Sequence, residues 1–275
     1  MKLIDFDGLF DEKLGQYMKE SKKKRSVKAW EDVIPKLYQQ FGDTYIAKIK
    51  CTPKQYYAKM ADGELVEILF AHLEQDVPVP EFLTNELEKR DAVECLLPLL
   101  HSEDGEIASY AVNLIGGDMR AFDVYFEVLE KEGTDEEVKS DILAIFCEHA
   151  DEVKAQVLER CQKGLNIEFA LEILCRVTER DEVVYQMLLH AFLEAEEWQL
   201  ALRAGYIATY GDERALPHLL RKIEDRSIGF VEFQELKYAI EALGGEYDEE
   251  RDFSADKDYL TVEAAKEKEI DRENK

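Results

Sequence analysis

Apolar residues recur along this chain at helical spacing and are interrupted at regular intervals. Val93, Leu96, Leu97 and Leu100 fall on one face of a 3.6-residue period, as do Val153, Val157 and Leu158. Breaks in the pattern stand at 102–105, 133–135, 164–166, 194–196 and 225–227, each about 31 residues beyond the last. A second set, at 116–118, 150–151, 180–181, 211–212 and 244–245, interleaves with the first. Each period therefore predicts two helices of about 12 residues, roughly 18 Å long. A helix that short cannot bury its apolar stripe alone, so stacking of neighbouring pairs is the expected source of a core. Asp118, Asp151, Asp181 and Asp212 stand near the starts of successive first helices, where a carboxylate can accept from unpaired backbone N–H groups.

The ends differ from this body. In residues 1–60, Trp30, Val33, Ile34, Leu37, Tyr38 and Phe41 describe an amphipathic helix for which Gly42 is a stop. This stretch reads as a helical cap over the first repeat, because the end of a repeat stack needs a covering face. A degenerate unit runs from Asp62 to Arg90 with a break at Pro78-Val79-Pro80, so the repeat body is expected to occupy 61–245. Residues 246–275 are acidic and, from Thr261, poor in apolar side chains, which predicts a loosely held tail. The fold expected is all-α: a solenoid of about five to six helix pairs behind a helical N-terminal cap.

The fifth unit carries a recognisable signature, Tyr210-Gly-Asp-Glu-Arg-Ala-Leu-Pro217-His-Leu-Leu followed by Ala239-Ile-Glu-Ala-Leu-Gly244. It resembles a HEAT-like repeat and is similar, more narrowly, to the repeats of about thirty residues in the phycobilin lyase HEAT-like family. Asp91-Ala-Val-Glu-Cys-Leu-Leu-Pro98-Leu-Leu with Ala111-Val-Asn-Leu-Ile-Gly116 fits the same template. The middle units keep the helical pairing but lack the proline and the Leu-Gly ending, so the likeness spans residues 91–245 with its strongest matches at the two ends. What it implies is a right-handed stack whose second helices line a concave inner face. It implies no reaction, since such repeats serve as protein or peptide docking surfaces while some relatives act on bilins or DNA bases.

Charge narrows the partners. Residues 1–60 hold 13 Lys and Arg against 8 Asp and Glu, a surplus of 5, so the remainder carries about −31 of a net −26. Such a body repels phosphate, which argues against nucleic acid and anionic lipid and makes a basic protein or peptide the easier partner. Lys22-Lys-Lys-Arg25 reads as a solvated connector rather than a targeting or nucleic-acid patch. No signal sequence or apolar run of membrane length appears, and five scattered cysteines without CxxC spacing suit a cytoplasmic protein.

No catalytic residue, metal site or cofactor is predicted. The five histidines, at 72, 101, 149, 190 and 218, lack compact ligand spacing and suit surface or helix-end roles. Phosphate-cradling and nucleophile-elbow sequences are absent. Asp252, Ser254, Asp256 and Asp258 alternate like a calcium loop but lack its glycine and closing glutamate. Cys147-Glu148-His149 with Cys161 and Cys175 is the one cluster that neighbouring repeats could assemble. Repeat alignment instead puts Gly116, Cys147, Cys175, Ala208 and Gly244 in one column, where a small side chain serves close helix packing.

The binding residues expected on second helices are Asn113, Lys139, Glu168, Glu172, Trp198, Arg203, Tyr206, Lys237 and Glu241. Trp198, Tyr206 and Tyr210, with Arg203, are the side chains of a binding hot spot. Helical phase assigns Ala201, Ala204, Gly205 and Ala208 to a packing face and leaves Trp198, Arg203 and Tyr206 at an exposed edge. The expected function is a non-catalytic protein- or peptide-binding scaffold. The alternative is an enzyme or chaperone acting on a bilin-like ligand or a nucleobase.

Overall fold

The structure, a computed structural model, describes residues 3–20 and 27–273; the basic run Lys22–Arg25 lies outside them. Among the described residues the chain is all-α, with a single isolated bridge between Ile46 and Cys51. It divides into two compact units, Met1–Ile145 and Phe146–Lys275.

The first unit contains α1 (Phe6–Glu20), α2 (Val27–Glu31), α3 (Ile34–Gly42), α4 (Pro53–Ala58), α5 (Asp62–Glu74), α6 (Glu81–Glu88), α7 (Val93–Leu96), α8 (Gly105–Ile115), α9 (Phe122–Glu130) and most of α10 (Glu136–Glu148). The helix expected from Trp30 to Phe41 is two helices. Pro35 sits in the first turn of α3, and its missing N–H and ring prevent the turn before it from running on. Gly42 ends α3 as expected.

Aromatic rings tie these N-terminal helices to α6. Tyr38 stacks on Phe82 at 4.7 Å between centroids, and Phe10 meets Tyr38 edge-on at 4.9 Å. The Tyr38 hydroxyl donates to Asp7, and burial together with that carboxylate raises its pKa. His72 ends α5, as its position suggested, but it is fully buried on the same stripe as Leu65 and Leu69, with Nδ1 3.3 Å from the Val77 carbonyl.

The second unit contains the end of α10, then α11 (Ala150–Cys161), α12 (Ile167–Leu174), α13 (Glu182–Leu193), α14 (Glu197–Tyr210), α15 (Leu216–Ile223), α16 (Phe230–Ala242) and α17 (Lys257–Glu273). α14 packs against α12, α13 and α16, and α16 against α14, α15 and α17. Leu200, Ala204 and Ile207 of α14 and Phe233, Leu236 and Ile240 of α16 supply buried apolar faces.

The expected breaks separate helices except at 150–151, which are the first residues of α11, where the separation falls at His149; sequence-distant side-chain hydrogen bonds recur at a similar interval. Arg90 reaches the Met60 carbonyl, 30 residues back, and Arg120 pairs with Asp91, 29 back. In the second unit Arg180 reaches the Gly211 carbonyl at a separation of 31, and Arg214 reaches Glu182 at 32. Arg251 donates to the Ile223 and Asp225 carbonyls, 28 and 26 back, and lies over the Phe233 ring at 4.7 Å. Arg90, Arg180 and Arg251 donate to backbone carbonyls, whereas Arg120 and Arg214 pair with carboxylates, and each ties together segments 26 to 32 residues apart.

The capping expectation holds at three of four aspartates. Asp118, Asp181 and Asp212 accept from the backbone N–H of Arg120, Val183 and Arg214. Asp151 instead lies inside α11 and accepts from Thr178 N and Oγ1 at 2.9 and 2.6 Å, 27 residues on.

The C-terminal segment is better held than its composition suggested. Phe253 packs on Phe230 and Phe233, and Asp256 accepts from Phe230 N of α16 and from Asp258 and Tyr259 N of α17. The alternating acids at 252–258 are accounted for by this capping and by an Asp252–Ser254 turn.

Candidate functional site

The expected binding residues divide between the units. Asn113 on α8 is exposed and Lys139 on α10 pairs with Glu136, both in the first unit. The other seven lie in the second unit on α12, α14 and α16.

Two of them are not at an exposed edge. Arg203 is 5% exposed and Tyr206 is buried, because residues 200, 203, 204, 207 and 210 form the inward arc of α14 and Tyr206 borders it. The Arg203 Nη2 pairs with Glu168, while its Nε and Nη1 are buried without a hydrogen-bond partner. Gln199 also donates to Glu168, at 3.3 Å, so one carboxylate gathers two side chains of α14. The Arg203 guanidinium carbon lies 6.0 Å from the Tyr206 ring centre. Burial raises the Tyr206 hydroxyl pKa, and Glu172 adds to the effect.

Gly205, expected in the packing face, belongs to the outer stripe. A Cβ added there would meet nothing within 4 Å. Trp198, Leu202, Gly205 and Thr209 follow one another at four-, three- and four-residue steps, one side of a helix. Trp198 is 74% exposed and Leu202 50%. The Trp198 indole N–H donates to Glu196 at 2.6 Å, which holds the ring near the N-terminus of α14.

On the adjoining α16, Val231 and Tyr238 stand seven residues apart on the outer side, and Tyr238 is 63% exposed. Leu202, Val231 and Tyr238 are large exposed side chains on these helices that were not among the expected binding residues. Their signal was available: they fall opposite the Leu200–Ala204–Ile207 and Phe233–Leu236–Ile240 stripes. Lys237 is half-buried and Glu241 exposed on α16, and Glu172 is half-buried on α12.

The cysteine cluster is partly assembled. Cys147 and Cys175 both donate to the Glu172 carbonyl, at 3.6 and 3.2 Å. Burial pushes the Cys175 thiol up to about 12, and burial also raises Cys147 and Cys161. A thiol so held has little thiolate at neutral pH, which fits the packing role expected of it. The column that held these cysteines mixes two requirements. At Gly116 and Gly244 a Cβ would find open space, and their φ values of +56° and +79° are what call for glycine.

Among the described residues, no group of three or more His, Cys, Asp or Glu side chains is placed to hold a metal ion, and no helix is long and apolar enough to cross a membrane. A depression of about 230 Å³ in the first unit is lined by Phe10, Lys13, Leu14, Tyr17, Leu37 and Phe41 among others. A second, of about 310 Å³, lies among the loops at Ser102–Gly105 and Lys131–Asp135. Neither contains an expected binding residue.

The chain matches no protein-family model and no curated protein. The outer side of α12, α14 and α16 is therefore read from its own chemistry. Large apolar side chains stand in solvent on adjoining helices, next to carboxylates and an open glycine.

Proposed function

We propose that this chain is a HEAT-like helical-repeat scaffold that docks a protein or peptide, without catalysing a reaction, on the outer side of α12, α14 and α16. The observation that carries this reading is the exposure of Trp198 and Leu202 on α14 and of Val231 and Tyr238 on α16, two helices that pack against each other. Isolated exposed apolar residues are common on protein surfaces, but an exposed tryptophan and tyrosine on adjoining helices, each with an exposed aliphatic residue on the same helix face, have the composition of a binding hot spot. The repeat reading is supported by the recurring separation of 29 to 32 residues in the arginine links of both units.

The test is affinity capture from native lysate by the full chain and by a Trp198→Ala/Tyr238→Ala variant, compared by quantitative mass spectrometry. Both positions are solvent-exposed, so the variant is expected to fold with unchanged circular dichroism. A protein retained by the native chain and lost from the variant is the expected result. Identical capture by both would remove this face as the docking surface.

A further inference from the structure

We infer that the occupant of the α14–α16 face is a cationic amphipathic helix; this rests on the docking reading above and names the chemistry of the partner. Three features on that face select it.

The first is shape. Trp198, Leu202 and Gly205 span seven residues of α14, and Val231 to Tyr238 spans seven of α16. Both stripes are thus about 10 Å long at 1.5 Å per residue. α14 and α16 pack together, and helices packed side by side lie about 8 to 10 Å apart, so a third helix laid along the furrow between two such neighbours can rest one apolar face on both stripes. The open space over Gly205 lets a partner approach the α14 backbone there.

The second is charge. α12, α14 and α16 carry Glu168, Glu172, Glu197, Glu232, Glu235 and Glu241 against two cations, Arg203 and Lys237. Arg203 is buried and paired to Glu168, so those two charges cancel and five carboxylates face one cation, Lys237. A helix bearing Lys or Arg beside its apolar stripe meets carboxylates at its rim, whereas an acidic or purely apolar helix does not gain that attraction.

The third is preorganisation. Glu196 holds the Trp198 indole, and the anchor therefore loses little side-chain freedom on docking.

The experiment uses the full chain with Trp30→Phe, which leaves Trp198 as its one tryptophan. It is titrated with synthetic Leu/Lys amphipathic helices of about 18 residues, roughly 27 Å. Parallel titrations use a Leu/Glu helix of the same pattern and a Leu/Lys peptide of scrambled order. The expected result is a saturable blue shift of Trp198 emission with the patterned Leu/Lys helix alone. Affinity should fall about tenfold or more when salt rises from roughly 0.05 to 0.5 M, because the rim charges are exposed. Gly205→Leu fills the furrow from an open position and is expected to weaken binding about tenfold while circular dichroism stays unchanged.

Equal binding of the Leu/Glu helix, equal binding of the scrambled peptide, or indifference to Gly205→Leu would each overturn the proposal. So would failure of the Leu/Lys helix to bind. If lysate capture still depends on Trp198 and Tyr238 in that case, the docking face stands and the cationic-helix occupant alone is wrong. If capture is also unchanged, both fall.

Discussion

Arg203 and Glu168 should respond to removal very unequally. The guanidinium is buried with only Nη2 paired, and its Nε and Nη1 lack partners. Each buried unpaired donor costs about 1 to 3 kcal/mol. Arg203→Met keeps an unbranched stem of similar length and removes both orphaned donors and the desolvated charge, at the cost of the ion pair. These effects oppose one another, and the net change is expected to lie within about 1 kcal/mol of zero.

Glu168→Ala instead leaves a buried cation without its counter-ion, which costs about 3 to 5 kcal/mol in a fully buried setting. The Glu168 side chain is 36% exposed, so solvent screens part of this and about 2 to 3 kcal/mol is expected. The double variant should resemble Arg203→Met, since no buried charge remains to be orphaned. Urea unfolding followed by far-ultraviolet circular dichroism gives the full cycle. A loss above about 2 kcal/mol for Arg203→Met, with Glu168→Ala near neutral, would refute the reasoning and mean that the guanidinium is well satisfied.

Other expectations follow from single contacts. The Tyr210 hydroxyl accepts from Asp181 N at 2.8 Å and donates to Asp181 O at 3.1 Å, so Tyr210→Phe should cost about 1 to 2 kcal/mol in the same urea assay. Asp118 is held at about 2 by Arg120, and Asp225 at about 2 by Ser227, both below the ordinary 3.8. A folded-state pKa below the unfolded one adds stability that is present above about pH 4 and lost as pH falls toward 2. The stability difference between the native chain and Asp118→Asn/Asp225→Asn, followed against pH, should therefore be constant near neutrality and vanish through that window. Cys175 should react with a disulfide reagent at pH 8 far more slowly than Cys95, which is half-buried, when each is measured as the sole remaining cysteine.

What was legible in the sequence was set by local chemistry. Glycine and aspartate at helix boundaries act on their immediate neighbours, so the breaks at 116–118, 180–181 and 211–212 could be read directly, and Asp181 caps α13 as its position required. Asp151 has the same residue type near a helix start, yet its oxygens are taken by Thr178 in the loop that follows α12. A cap and a long-range link look alike until the neighbour is positioned. Pro35 is a different case, because the break between α2 and α3 was written locally and was masked by the run of apolar residues across it.

The exposed side of α14 shows the other limit. Periodicity assigns residues to sides of a helix but does not say which side meets a neighbour. On α14 both the side with Ala204 and the side with Trp198 are partly apolar, and small residues at 201, 204, 205 and 208 suggested the wrong arc for packing. Helix neighbours decide it: Arg203 and Tyr206 turn inward beside Glu168 and Glu172 of α12, and Gly205 turns outward. Of the three side chains expected at an exposed edge, Trp198 alone is exposed, and the other large exposed side chains on α14 and α16 include Leu202 and Tyr238 rather than Arg203 and Tyr206. Buried Arg203 instead joins α12 to α14 through its pair with Glu168. Its substitution should consequently change stability or helix placement before it changes any partner, while substitutions at Trp198 and Tyr238 should do the reverse.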